Sequence, residues 1–147
     1  MFLIDENLKV SYDSLVLDLN KGVNAHLLCS FVKDIATDRD VNLTSYAQNN
    51  TSPKKAILSK EELTKKILNS KSVISLNTSG TTGKKKTIRH KVSDLILDTK
   101  KTNKKNVWLY TYNPFHMGGI QVFLQSLVNG DTIVYAYKKD REYILQS

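Results

Sequence analysis

The chain carries the stretch Leu76-Asn77-Thr78-Ser79-Gly80-Thr81-Thr82-Gly83-Lys84-Lys85-Lys86 at the end of an apolar segment, 73–76. Small residues let the backbone bend tightly and bring successive N–H groups around an anion. The lysines that end the run add mobile positive charge suited to phosphate. A strand, a small-residue loop and a helix form a general arrangement for holding polyphosphate, and a helix-like segment at 91–100 follows this run. The stretch therefore predicts a phosphate-binding loop.

Two common phosphate-loop patterns do not fit the stretch. The Walker pattern needs four residues between its glycines, followed by Lys and then Ser or Thr, whereas only Thr81 and Thr82 separate Gly80 from Gly83. The dinucleotide pattern begins with Gly-x-Gly, which does not occur here.

The stretch resembles the signature loop of the adenylate-forming enzymes, which include acyl-CoA synthetases, peptide-synthetase adenylation domains and luciferases. Positions 76–83 fit that pattern and Lys86 takes its terminal lysine, while Lys85 stands where the family usually has proline. The resemblance implies ATP and Mg²⁺ as cofactors, with Thr81 as the candidate Mg²⁺ ligand. The residues that it implies for phosphate binding are Thr78, Ser79, Gly80, Thr81, Thr82, Gly83 and Lys86.

A second motif follows the loop at about the distance seen in this family. The sequence Pro114-Phe115-His116-Met117-Gly118-Gly119 resembles the family's Pro-x-His-x-x-Gly element, which precedes a helix, an Asn-Gly pair and a strand. The resemblance places His116 and Gly119 close to the acyl-substrate pocket. Without that resemblance, a lone loop histidine would indicate only a local structural role.

Hydrophobic periodicity predicts an alternation of strands and helices along the chain. A short β-hairpin opens it, and a helix follows Ser11. Strands are expected at 25–29, 41–43, 73–77, 87–90, 106–111 and 131–135, and helices at 30–36, 59–69, 91–100 and 120–128. This order predicts an α/β fold with a mostly parallel sheet and flanking helices. The resemblance to the adenylate-forming enzymes implies that residues 1–147 are one partial domain, a truncated amino-terminal subdomain of that family's fold.

The positive charge of the chain is concentrated near the loop. The net charge is +8, and the window 84–105 holds nine Lys or Arg against two Asp, while residues 1–50 are net acidic. A triphosphate site explains part of this charge, which argues against general nucleic-acid binding. The single cysteine, Cys29, lies in an apolar context and is expected to be a buried small hydrophobe. With no signal peptide and no long apolar run, the sequence predicts a cytoplasmic protein.

The resemblance covers most of this chain but only the first part of the family's length. The family's later elements bind adenine, ribose and Mg²⁺ and supply a carboxy-terminal lysine, and none occurs here. The implied reaction joins a carboxylic acid and ATP into an acyl-adenylate and pyrophosphate, usually before transfer to a thiol. We therefore expect a ligase portion that is inactive alone and completed by a complementary polypeptide. The alternatives are a non-catalytic binding or interaction module that retains the fold and, less favoured by the charge distribution, a basic nucleic-acid-binding protein.

Overall fold

The computed structural model describes residues 1–21, 27–46, 59–79, 85–97 and 104–146. In chain order, the strands are β1 (Leu3–Asp5), β2 (Leu8–Val10), β3 (Val41–Asn42), β4 (Val73–Ser79), β5 (Lys85–Lys91), β6 (Val107–Tyr110) and β7 (Thr132–Tyr135). The helices are α1 (Tyr12–Lys21), α2 (Leu27–Ala36), α3 (Leu43–Tyr46), α4 (Lys60–Leu68), α5 (Val92–Ile96), α6 (Met117–Asn129) and α7 (Arg141–Gln146). The predicted α/β class is confirmed.

The described strands form two mixed sheets, and the prediction of one mostly parallel sheet is wrong. A four-stranded sheet has the order β2-β1-β7-β6, and a three-stranded sheet has the order β3-β4-β5. The pairs β1–β7, β6–β7 and β3–β4 are parallel. The pairs β1–β2 and β4–β5 are antiparallel because each is joined by a short connection, which cannot provide a parallel crossover. The opening hairpin is confirmed.

Two predicted elements are corrected. The segment 25–29 was expected to be a strand, but α2 begins at Leu27, so the described part of that segment is helical. A short apolar run fits either element, and here the 3.6-residue spacing of buried Leu28, Phe31, Val32 and Ile35 prevails. The helix expected at 91–100 is the shorter α5, Val92–Ile96, and residues 98–103 lie outside the described ranges.

Helix α4 shows how local sequence sets a boundary. The Ser59 hydroxyl accepts a hydrogen bond from the Glu62 N–H at 3.2 Å, and the Glu62 carboxylate accepts one from the Ser59 N–H at 2.7 Å. This reciprocal pair satisfies N–H groups that the first helical turn leaves without partners. The helix prediction for 59–69 is confirmed, with Asn69 as the C-cap.

The buried side chains lie between the helices and the strands. Helix α4 contacts α2, α5 and α6, and α6 also contacts β7. Phe2 sits between Tyr12 and Phe123, with ring centroids 5.1 Å and 5.6 Å away. Cys29 is buried, as expected. Within the described ranges, no helix is both long and apolar enough to cross a membrane.

Helix α6 ends where the sequence predicts. Gly130 is its C-cap and adopts a left-handed conformation with φ of 70°, which glycine reaches without steric cost. The Gly130 N–H donates to the Leu127 carbonyl at 3.1 Å. This turn leads directly into β7 and so fixes the position of α6 against the four-stranded sheet.

Candidate phosphate-binding site

The predicted phosphate loop connects two strands of an antiparallel hairpin. Strands β4 and β5 pair over their full lengths, with Thr78 opposite Lys86 and Ser79 opposite Lys85. The structure therefore brings three predicted phosphate ligands, Thr78, Ser79 and Lys86, to one end of the hairpin. The other predicted ligands, Gly80, Thr81, Thr82 and Gly83, lie outside the described residues, and their roles stay predictions.

The residues after the loop differ from the strand–loop–helix arrangement expected from the sequence. Strand β5 follows the loop, and α5 begins only at Val92. The β-branched Thr87 and Ile88 favour an extended chain, and β4 supplies hydrogen-bonding partners along the whole of β5. Because α5 does not begin at the loop exit, its dipole is not the source of positive potential there.

Hydrogen bonds tie the hairpin to the element beside it. The Asn77 N–H donates to the Thr44 hydroxyl at 2.9 Å, which connects β4 to α3. The Thr87 hydroxyl donates to the Asn77 side-chain oxygen at 2.9 Å, across the hairpin. Asn77 therefore connects β4 both to α3 and to β5, two residues before the end of β4.

The returning strand carries the positive charge. Lys86, Arg89 and Lys91 are all exposed on β5. Side chains alternate between the two faces of a strand, so Lys86 shares a face with Ile88 and His90, while Arg89 and Lys91 share the opposite face. Cationic groups thus lie on both faces of the hairpin. Such exposed lysine and arginine side chains bind phosphate oxygens through charge-assisted hydrogen bonds.

The second predicted site lies where β6 passes into α6. His116 is the N-cap of α6 and is exposed, and its side chain makes no capping hydrogen bond. Its N–H donates to the Asn113 carbonyl at 3.1 Å, and its carbonyl accepts from the Ile120 N–H at 3.0 Å. The His116 backbone therefore shapes the turn, while its imidazole stays available to a ligand.

Gly119 has a packing role in the same turn. A Cβ at this position would meet the Asn113 carbonyl oxygen at 2.1 Å and the Tyr110 hydroxyl at 3.0 Å. Phe115 follows Asn113, and its N–H donates to the Asn113 side-chain oxygen at 3.0 Å. The Phe115 ring contacts Phe31 at a centroid distance of 6.2 Å. The second motif thus connects the end of β6 to α2 and α6.

Sequence reasoning missed Tyr110, whose hydroxyl lies against Gly119 in this turn. Tyr110 is fully buried, and its hydroxyl has no hydrogen-bond partner among the residues that the structure describes. Burial, with the nearby Tyr135 as a second cause, raises the pKa of Tyr110 above its usual range. Little in the sequence indicated this role, because Tyr110 is one of several apolar residues in a predicted strand.

The two predicted sites belong to different sheets. The loop flanks lie in the β3-β4-β5 sheet, whereas His116 and Gly119 follow an edge strand of the β2-β1-β7-β6 sheet. Within the described residues, no group of three or more His, Cys, Asp or Glu side chains could hold a metal ion. The Mg²⁺ ligand predicted from the sequence, Thr81, lies outside those residues and stays a prediction.

Comparisons with protein-family models, with curated proteins and with solved structures found no match to this chain.

Proposed function

We propose that the chain is the amino-terminal, phosphate-binding portion of an ATP-dependent adenylate-forming ligase. Such a ligase joins a carboxylic acid and ATP into an acyl-adenylate and pyrophosphate, and then transfers the acyl group to a thiol. One observation carries the proposal. The β4–β5 register sets Thr78 opposite Lys86, so the two strands pair up to the ends of the small-residue segment that connects them. The strand that follows this segment carries the exposed cations Lys86, Arg89 and Lys91.

The proposed work of the loop is positioning and charge neutralisation. Lys86 would contribute a point charge, and the loop hydroxyls and N–H groups would contribute directed hydrogen bonds. Preorganised donors of this kind act without reorganising when charge shifts from the reacting phosphate to pyrophosphate. Mg²⁺, with Thr81 as its proposed protein ligand, would neutralise further phosphate charge. The residues proposed to hold the β and γ phosphates are Thr78, Ser79, Gly80, Thr81, Thr82, Gly83 and Lys86.

The proposed acyl side of the site is the turn before α6. An exposed imidazole at His116 is able to donate to or accept from a carboxylic acid substrate. Gly119 allows the first turn of α6 to lie close to Asn113. Adenine recognition and the catalytic lysine of the family have no counterpart in these residues. We propose that a complementary polypeptide supplies both.

Pyrophosphate exchange tests the catalytic part of this proposal. The isolated chain, offered ATP, Mg²⁺ and a panel of carboxylic acids, is expected to give no exchange. Sustained exchange by the chain alone would contradict the need for a complementary polypeptide.

An NMR titration with ATP and with inorganic triphosphate tests the binding part. The amide signals of Thr78, Ser79 and Lys86 are expected to shift with both ligands, because the proposed loop contacts only the phosphate groups, which ATP and triphosphate share. Gly80→Val is expected to remove the shifts, because a branched side chain blocks close backbone approach. If neither ligand moves these signals, the non-catalytic module becomes the better interpretation.

A further inference from the structure

The edge strand β6 exposes apolar side chains along most of its length. The exposed fractions of Val107, Trp108 and Leu109 are 72%, 45% and 47%. Side chains alternate along a strand, so Val107 and Leu109 project from one face and Trp108 from the other. Apolar surface is therefore open to solvent on both faces of the same edge.

The backbone of β6 is also available for pairing. The Thr132 N–H donates to the Asn106 carbonyl at 2.9 Å, and the Ala136 N–H donates to the Tyr110 carbonyl at 3.0 Å. In a parallel ladder, alternate residues direct both backbone groups toward the same neighbour. The even-numbered residues of β6 thus face β7, and Val107 and Leu109 direct their N–H and C=O groups to the open edge. Among the described strands, none pairs with β6 on that side.

Edge strands of monomeric proteins usually carry a feature that prevents pairing with another chain, such as a charged residue, a proline or a bulge. The segment 106–113 contains no charged residue and no proline. The nearest cation on the chain, Lys105, donates its ammonium group to the Asn129 carbonyl at the end of α6. Nothing in the sequence of β6 therefore opposes an added strand.

We propose that β6 is a self-association surface on which β6 of a second copy pairs antiparallel about a two-fold axis at Trp108. This register sets Val107 opposite Leu109 of the second copy, and both residues direct their backbone groups outward, as hydrogen-bonded pairs require. Trp108 of one copy lies opposite Trp108 of the other in a non-hydrogen-bonded pair, in which the side chains are closer than in a hydrogen-bonded pair. Aromatic cross-strand pairs of this kind stabilise a sheet. An isologous contact requires this kind of self-complementarity.

The lack of charged residues on β6 favours a second copy over an acidic protein. In this register Lys105 lies opposite Thr111, so no lysine faces a lysine. Because β6 is uncharged, it offers nothing to select an acidic partner. The net charge of +8 on each copy opposes association at long range, and added salt screens that repulsion. Self-association is therefore expected to strengthen with salt, whereas pairing with an acidic protein would weaken.

Sedimentation velocity of the full chain over a range of concentrations tests the proposal. The wild-type chain is expected to approach twice its 16.7 kDa mass as concentration rises, and to do so at lower concentration in higher salt. A chain that keeps the single-copy mass throughout would overturn the proposal, and a different partner for β6 would then have to be sought.

Paired charge variants test the register. Val107→Lys/Leu109→Lys and Val107→Glu/Leu109→Glu each place like charges opposite each other, and each variant alone is expected to remain at the single-copy mass. Their equimolar mixture is expected to recover the double mass, because every pair then joins opposite charges. Dimers of either variant alone, or a mixture that stays monomeric, would contradict the pairing.

Leu97→Lys/Leu145→Lys is the matched control. These leucines are 79% and 74% exposed and lie outside β6, so this variant is expected to associate like the wild type. Equal loss of association in the control would overturn the assignment to β6. The proposal is independent of phosphate binding, because the loop flanks lie in the other sheet.

Discussion

Gly119 lies so close to Asn113 that a Cβ at position 119 would meet the Asn113 carbonyl oxygen at 2.1 Å. Gly118, its neighbour, has nothing within 4 Å of the same position. Two adjacent glycines of one motif therefore have different reasons to be there. Gly119 allows the end of β6 to lie against the first turn of α6, whereas packing does not require a glycine at position 118.

Gly119→Ala is expected to destabilise the protein by about 1–3 kcal/mol, because the added methyl group forces backbone apart in a close-packed turn. Gly118→Ala is the control and is expected to be neutral or to stabilise by up to about 1 kcal/mol, since alanine favours the helix. Urea unfolding of both variants measures the difference. Equal stabilities would show that the Asn113 turn moves aside without cost.

Asp131 connects the start of β7 to β6 in the four-stranded sheet. Its side chain accepts from the Trp108 indole N–H at 2.9 Å and from the Asn106 N–H at 3.0 Å, and it is 1% exposed. Asp131→Asn is expected to cost about 1–3 kcal/mol, because an amide has only one acceptor oxygen and its NH₂ group would face an N–H donor.

The chain has a single tryptophan, so Trp108 fluorescence during urea unfolding reports this change directly. Asp13→Asn, at an exposed carboxylate, is the control and is expected to change stability by about 0.5 kcal/mol or less. If both variants unfold at the same urea concentration, the Asp131 hydrogen bonds contribute nothing net.

The half-buried Tyr12 and the fully buried Tyr110 make a matched pair. The Tyr12 hydroxyl donates to the Asp131 carbonyl at 2.8 Å, whereas the Tyr110 hydroxyl has no hydrogen-bond partner within the described ranges. Tyr12→Phe is expected to cost about 0.5–1.5 kcal/mol through the lost hydrogen bond. Tyr110→Phe is expected to be neutral or stabilising, because it removes a desolvated polar group. A marked loss of stability in Tyr110→Phe would show that its hydroxyl is bonded after all, for instance to a buried water.

Stability is expected to fall at alkaline pH. Burial raises the pKa of Tyr12, Tyr110 and Tyr135. Tyrosines of the unfolded chain lose their protons near pH 10, while these folded ones keep them. The stabilisation of the folded state by these three protonated tyrosines is therefore complete below about pH 10, and it is lost as pH rises toward their pKa values in the folded protein. Urea unfolding between about pH 9 and 11 measures the slope, and Tyr12→Phe/Tyr110→Phe should reduce it. A slope unchanged by the double substitution would contradict this origin.

The sequence predicted local features well because they depend on neighbouring residues. The capping box at Ser59, the Gly130 helix stop and the opening hairpin each follow from a few adjacent side chains. Sheet topology depends on distant pairing, and the sequence did not show that β5 would return along β4 or that the strands would divide into two sheets. The segment 25–29 was assigned to a strand because a short apolar run does not distinguish a strand from a helix.

The features around β6 and α6 also differ in how far the sequence could predict them. The turn at His116 could be anticipated from the order of strand, motif and helix. The exposure of Val107 and Leu109 could not, since an edge strand and a central strand have the same apolar sequence. The unpartnered Tyr110 hydroxyl was likewise invisible, because its isolation depends on how closely α6 approaches.

The last prediction concerns Lys86, the described lysine that lies opposite Thr78 at the end of the hairpin. A charge-assisted hydrogen bond contributes about 1.5–3 kcal/mol, so Lys86→Ala is expected to weaken binding of ATP and triphosphate by about tenfold or more. Lys104→Ala is the matched control, since this lysine is also exposed but precedes β6, and it is expected to change affinity little. Isothermal titration calorimetry with each ligand at two salt concentrations measures the effect. Affinity should fall as salt rises in every variant, because the contacts are ionic. If Lys104→Ala weakens binding as much as Lys86→Ala, the attraction is diffuse charge, and the ligase proposal loses its main support.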